Sequence, residues 1–258
     1  MTEYALITGA SKGIGKSMAL LLGKAGYNLM LVARSETALE DLSFIIQKEY
    51  KVKVVFLAID LSASHAVEET ARWCKDHTAS LSILINNAGY GLWGKFGDLP
   101  LKDQMNMLQL NINTVIELTH HLLPLLKQQK QAYLLNIAST AAYQALPTLS
   151  LYAASKTFIL NYSRAIRYEL RHSPVSVTCL CPGPTDTGFA SRAGLDAFAD
   201  LAEKFNMLPD EVAKTGLKGM FNKKAEIIPG FLNRLSSFGA RHLPKAMIER
   251  IGAGLYTR

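Results

Sequence analysis

The 258 residues are 49% apolar and 19% charged, enough for one globular domain spanning 1–258, and two domains would be unusual at this length. No apolar run reaches the roughly 20 uncharged residues of a membrane-spanning helix, and the opening residues read as a strand rather than a signal segment, so a cytoplasmic location is expected. Lys and Arg exceed Asp and Glu by 28 to 21, but the excess of +7 is scattered, and no alternation of basic and aromatic residues marks a nucleic-acid groove.

From the first residues onward, short apolar runs alternate with longer stretches of helical periodicity, the pattern of a parallel sheet covered by helices. Tyr4–Thr8 is the first predicted strand. It runs into Thr8-Gly9-Ala10-Ser11-Lys12-Gly13-Ile14-Gly15, after which Met18, Leu21, Leu22 and Ala25 recur at helical spacing until Gly26. A strand, glycine turn and helix in that order suit a dinucleotide, because glycines let the pyrophosphate approach main-chain N–H groups at the positive end of the helix. The second strand, Asn28–Ala33, ends in Arg34, where NAD-binding folds carry a carboxylate for the ribose hydroxyls. The missing acid, together with the bases Arg34 and Lys12, predicts NADP over NAD, since both bases suit an extra phosphate.

Further strands are predicted at Val54–Ala58, Leu81–Asn86, 133–137, Val175–Leu180 and 226–228. Their near-continuous apolar character is that of strands buried on both faces. The tail carries two helical patterns, 231–240 and 245–255, parted at Pro244, and is read as a helical extension covering 231–258. Cys74, Cys179 and Cys181 have no His or acidic cluster beside them, so buried thiols are expected and no metal site.

Tyr152 and Lys156 stand four apart in a proline-free helical stretch, 148–170, and so share a face. A phenol is a poor acid-base group at neutral pH, and a neighbouring ammonium lowers its pKa by favouring the phenolate. Ser139 follows the apolar run Leu134-Leu135-Asn136-Ile137-Ala138, at the carboxyl end of the sheet, where open α/β folds bind ligands.

Several of these features together resemble the signatures of the short-chain dehydrogenase/reductase family over about residues 4–188. They are the spacing G-x-x-x-G-x-G, the thirteen-residue step from Ser139 to Tyr152, Asn86-Asn87-Ala88-Gly89 after the fourth strand, Asn111 in the next helix, and Pro182-Gly183 after the sixth. The resemblance implies a doubly wound (Rossmann) α/β sheet of about seven strands. It also implies an enzyme of the carbonyl-reductase-like branch that moves a hydride between NADP(H) and a carbonyl or secondary alcohol. Ser139, Tyr152, Lys156 and Asn111 would be catalytic, with Asn111 anchoring a water that links Lys156 to solvent and Asn113 as the competing register. Gly9, Ser11, Lys12, Gly13, Ile14, Gly15 and Arg34 would hold the phosphates, and Asp60 with Leu61 the adenine. Asn87, Ala88, Gly89, Pro182 and Gly183 would shape the wall along the ribose and nicotinamide. Thr187 matches the carboxamide-binding threonine, while Thr185 replaces a usual aliphatic residue.

Trp93, Tyr143 and Phe189 are candidate substrate-lining residues, and an apolar substrate body follows if they line the cleft. Residues 187–208 resemble the family's substrate lid, and the long helices at 105–126 and 148–170 its dimer or tetramer contacts. Two alternatives are less favoured: a redox sensor or scaffold without turnover, against which the intact Ser, Tyr, Lys and Asn positions argue, and an enoyl reductase, whose Tyr and Lys usually stand seven apart rather than four. Membrane contact through the tail is the less favoured reading of its basic and apolar residues, behind a cleft cap or an oligomer contact.

Overall fold

Along β1 (Tyr4–Thr8) the side chains of Ala5 and Ile7 enter one apolar cluster and Leu6 the other, each 0% exposed. The strand is therefore buried on both faces, and period-two alternation has no polar partner to show. The same division repeats along β2 (Asn28–Ala33), β4 (Leu81–Asn86) and β5 (Ala132–Ile137), while β3 (Val54–Ala58), β6 (Val175–Leu180) and the short β7 (Glu226–Ile227) complete the sheet. All pairings are parallel, in the order β3-β2-β1-β4-β5-β6-β7. The chain reverses its direction of travel between β1 and β4, so a crevice opens there beyond the strands' carboxyl ends. The computed structural model describes residues 3–188, 193–194 and 206–256. Phe189, Phe198, Phe205 and most of the expected lid at 187–208 lie outside the described residues.

One face of the sheet is covered by α1 (Gly13–Lys24), α2 (Glu36–Tyr50) and α7 (Pro209–Phe221), which contribute Met18, Leu22, Leu39, Ile46, Val212 and Met220 to the core. The other is covered by α3 (Ala66–His77), α5 (Thr114–Lys127) and α6 (Ser150–Glu169), with α4 (Leu101–Leu108) at its edge. Each fully buried Leu or Ile contributes about 1.5–3 kcal/mol, so the two layers supply most of the driving force for the fold. The three cysteines are free and fully buried as expected, and burial pushes the Cys74 thiol up to about 12.

Strand bounds match the sequence reading to within one residue. The helix expected at 105–126 runs on from 101 to 127 but changes its winding midway. A π-helical turn, Gln109–Asn113, separates α4 from α5 and carries the buried Asn111. Such a wide turn swings one extra residue inward, here a polar one. The tail forms α8 (Phe231–His242) and α9 (Lys245–Tyr256), each slightly longer than expected. Among the described residues no helix is long and apolar enough to cross a membrane.

Candidate active site

The glycine turn closes onto the loop after β4. Thr8 Oγ1 donates to the Ile85 carbonyl at 3.3 Å and accepts from the N–H groups of Asn87 and Ala88, both at 3.0 Å. The Asn87 amide returns the contact, donating to the Thr8 and Gly9 carbonyls at 2.8 and 3.1 Å. Gly13 sits at φ +55, and a Cβ on Gly15 would run into the Gly9 carbonyl and the Asn87 amide. Neither position has room for a side chain. Helix α1 begins here with no side-chain cap and no acidic residue in its first turn, so its leading N–H groups remain available to an anion. These residues fit the pyrophosphate of a dinucleotide. Ser11 and Ile14 lie half-buried in the same turn, Ile14 against the core.

At the end of β2, Arg34 is more than half exposed and stands 4.0 Å from the Asp60 carboxylate, which also accepts from the Ser62 N–H and hydroxyl. An exposed pair at that distance is worth about 0–1 kcal/mol and yields to a stronger anion. Lys12 leans elsewhere, its Nζ 3.6 Å from where Gly188 would carry a Cβ. Leu61 is buried, with its carbonyl held by Thr114 Oγ1 at 2.9 Å.

Lys156 is 6% exposed and donates from Nζ to the Ile137 carbonyl at 3.0 Å, two residues before Ser139. Burial lowers its pKa from 10.5 to about 8. The same Nζ lies 5.8 Å from the centroid of the Tyr152 ring. A Cβ on Gly89 would meet Asn111 Oδ1 at 2.9 Å and Lys156 Nζ at 3.3 Å, so the three residues share one corner of the crevice. Asn111 accepts from the Tyr90 N–H at 3.1 Å and donates to the Tyr90 carbonyl and to Ser155 Oγ at 2.9 and 3.2 Å. Asn113 instead faces outward, and its amide donates to Gln109 at 2.7 Å, so of the two it is Asn111 that is buried beside Lys156.

Ser139 caps a short 3-10 turn, Thr140–Tyr143, with Oγ accepting from the Ala141 N–H at 3.1 Å and reaching the Pro182 carbonyl at 3.4 Å. Thr157 on α6 donates to the Ala142 carbonyl at 2.9 Å, so α6 is pinned to both ends of the segment that holds Ser139. Tyr152 is 8% exposed in an apolar cluster with Met107, Leu146 and Leu149, against which Leu92 and Trp93 pack. Trp93, a candidate substrate-lining residue, packs against the cluster that holds Tyr152.

Tyr143 does not. Its hydroxyl donates to Glu226 Oε1 at 2.9 Å, Arg241 covers its ring at 4.4 Å, and its neighbours are the buried Cys179, Cys181, Ala240 and Ile248. Burial, then Cys181 and Glu226, hold its phenol well above the ordinary value. Its place between Ser139 and Tyr152 in the sequence makes Tyr143 a candidate substrate-lining residue, whereas the 3-10 turn rolls it toward β7.

After β6, Thr187 packs over Gly13, with its Cβ 2.7 Å from where Gly13 would carry one. Thr185 turns its hydroxyl back to the Gly183 carbonyl at 2.9 Å and bridges to Met207. A Cβ on Gly183 would collide with the side-chain amide of Asn233, which donates to the Pro229 carbonyl at 2.9 Å. Thr8, Ser155, Glu226 and Asn233 are the residues that sequence reasoning missed. For Thr8 a signal existed, a hydroxyl at the end of a strand leading into a glycine turn.

A family model described as short chain dehydrogenase matches residues 3–198. A very-long-chain 3-oxoacyl-CoA reductase of Laccaria bicolor is 30% identical over 176 residues, covering 67% of this chain and 52% of that protein. Hydroxysteroid dehydrogenase-like protein 1 of Gallus gallus is 32% identical over 183 residues, covering 70% of this chain and 55% of that one. The chain thus spans about half the length of these curated relatives. A solved short-chain dehydrogenase from Sphingobium yanoikuyae, in complex with NADPH, is 29% identical with a TM-score of 0.83, over 93% of both chains.

Proposed function

Because this chain belongs to the short-chain dehydrogenase family, we propose that it transfers a hydride between NADP(H) and a carbonyl or secondary alcohol carried on an apolar small molecule. The observation that carries this reading is the buried Lys156 ammonium, held on the Ile137 carbonyl beside Asn111, Gly89 and the Tyr152 ring. A cation so placed stabilises negative charge on the Tyr152 oxygen as the phenol exchanges a proton with the substrate oxygen. Ser139 orients that oxygen by a hydrogen bond, and Asn111 holds the proton path behind Lys156. When bound, the dinucleotide supplies the hydride.

Gly9, Ser11, Gly13, Ile14 and Gly15 present the backbone to the pyrophosphate. Arg34, released from its weak pair with Asp60, takes the extra phosphate of NADP by charge-assisted hydrogen bonds with Lys12 nearby. Asp60 and Leu61 border the adenine, Asn87 to Gly89 and Pro182-Gly183 the ribose and nicotinamide, and Thr187 the carboxamide, with Thr185 held back by Gly183. The apolar cluster around Tyr152, with Trp93 at its edge, favours a substrate with an aliphatic or polycyclic body. The two relatives, named for a very-long-chain oxoacyl thioester and for hydroxysteroids, support that class. Exposed Leu101, Met105 and Phe158 on α4 and α6 support assembly into a homodimer or homotetramer.

Michaelis constants for NADPH and NADH, in the wild type and in Arg34→Asp, test the cofactor assignment. NADPH is expected to be preferred, with the variant losing about tenfold to a hundredfold in kcat/KM for NADPH as charged hydrogen bonds of about 1.5–3 kcal/mol disappear. A wild type that prefers NADH contradicts it.

A further inference from the structure

Helix α8 is turned inside out relative to an ordinary surface helix. Its inward row is Asn233, Ser237 and Ala240, while Phe231, Leu235 and Phe238 follow one another at i, i+4 and i+7 on the opposite side and are 70%, 58% and 62% exposed. Leu232 flanks the row, and α9 adds two further apolar side chains, Met247 and Ile251, each half exposed. The inward side has a definite job. Ala240 and Ile248 pack into the cluster around Tyr143, Asn233 seats against Gly183, and Gly252 lies against Leu146 and Pro147. A helix pair that capped the cleft would turn its large apolar side chains toward these residues rather than away from them.

The charges around the row are mostly positive. Between 231 and 256 stand Arg234, Arg241, Lys245 and Arg250 against a single carboxylate, Glu249. Arg241 is committed to Glu226, whereas Arg234, Lys245 and Arg250 are exposed, with the Arg234 guanidinium 5.9 Å above the Phe231 ring. A second copy of the chain would bring these cations toward their equals. An anionic surface would neutralise them while the apolar row leaves water.

We propose that the outward face of α8 and α9 is a peripheral docking surface that seats in the headgroup region of an anionic lipid bilayer. Phe231, Leu235 and Phe238 enter the acyl boundary, and the cations snorkel to the lipid phosphates. The inner side of the same helices touches the loop before α6 and the Pro182-Gly183 turn, so docking brings the crevice next to the membrane from which an apolar substrate is drawn. The surface stands independently of which carbonyl is reduced.

Sedimentation of the full chain with vesicles tests it, using phosphatidylcholine alone or with phosphatidylglycerol added. The chain is expected to pellet with the anionic vesicles and to be released by salt. Leu235→Glu and Phe238→Glu should each weaken binding about tenfold or more through the lost apolar burial. Arg234→Gln should weaken it about fivefold through the lost surface attraction. All three variants should retain turnover of a water-soluble aldehyde. Failure of the wild type to bind anionic vesicles overturns the proposal, as does binding that Leu235→Glu leaves unchanged. So does a wild-type dimer that Leu235→Glu dissolves while neither protein binds vesicles.

Discussion

Lys156 joins packing to chemistry more closely than any other residue described. Its ammonium is removed from water and held by one carbonyl, and burial lowers its pKa to about 8, below the 10.5 of a free lysine. Between those values the unfolded chain binds more protons than the folded one, so stability rises with pH from about 8 to about 10.5, and the charged form costs on the order of 3 kcal/mol at neutral pH. Urea unfolding of the cofactor-free wild type and Lys156→Met across that window should show the wild type gaining on the variant as pH rises. A constant difference would remove the buried ammonium from the account. Asn111 offers a second test at this scale. Asn111→Ala strands the Tyr90 N–H and carbonyl, costing about 1–3 kcal/mol, whereas the outward Asn113→Ala should stay within about 0.5 kcal/mol of the wild type. Thermal melts and turnover numbers of the two variants separate them, and equal losses would mean the wrong asparagine faces the site. The sequence reading names Asn111 by family resemblance, with Asn113 as the competing register, because a five-residue π-turn sets which asparagine points inward and nothing in Gln-Leu-Asn-Ile-Asn distinguishes it from an ordinary helix.

At the scale of elements, the Thr8 hydroxyl joins the β1 and β4 loops alongside the Asn87 amide. Thr8→Val keeps the shape of the side chain but leaves the Ile85 carbonyl and the Asn87 and Ala88 N–H groups without their partner. The variant should bind NADPH about tenfold more weakly, because the dinucleotide turn loses its anchor. Fluorescence titration measures this, and unchanged affinity would show that the glycine turn holds its form alone. The strands were legible because both faces are buried and apolar residues run on without a break, and the glycine turn because glycine is needed where no Cβ fits. Partners brought together from distant parts of the chain were not. Tyr143 meets Glu226 across 83 positions, and Asn233, near the start of the tail, meets Gly183. No local pattern marks either contact.

Taken whole, the molecule gathers its chemistry at the carboxyl edge of one parallel sheet. Glu226, on the last strand, accepts from Tyr143, Arg164 and Arg241 and so ties the 3-10 turn, α6 and α8 to one carboxylate. The proposed Ser139, Tyr152 and Lys156 set rests on spacing along the chain, and fold class was readable because the order of strands constrains it. The tail's outward apolar face was not, since periodicity reports which residues share a side but not which side faces the core. The central claim, that Tyr152 exchanges the proton at the reacting oxygen, is tested most directly by following nicotinamide absorbance with an apolar ketone and NADPH in the wild type and in Tyr152→Phe. Loss of turnover by at least about a hundredfold, with NADPH affinity retained, is the expected result. Tyr152→Phe turning over at the wild-type rate would contradict it.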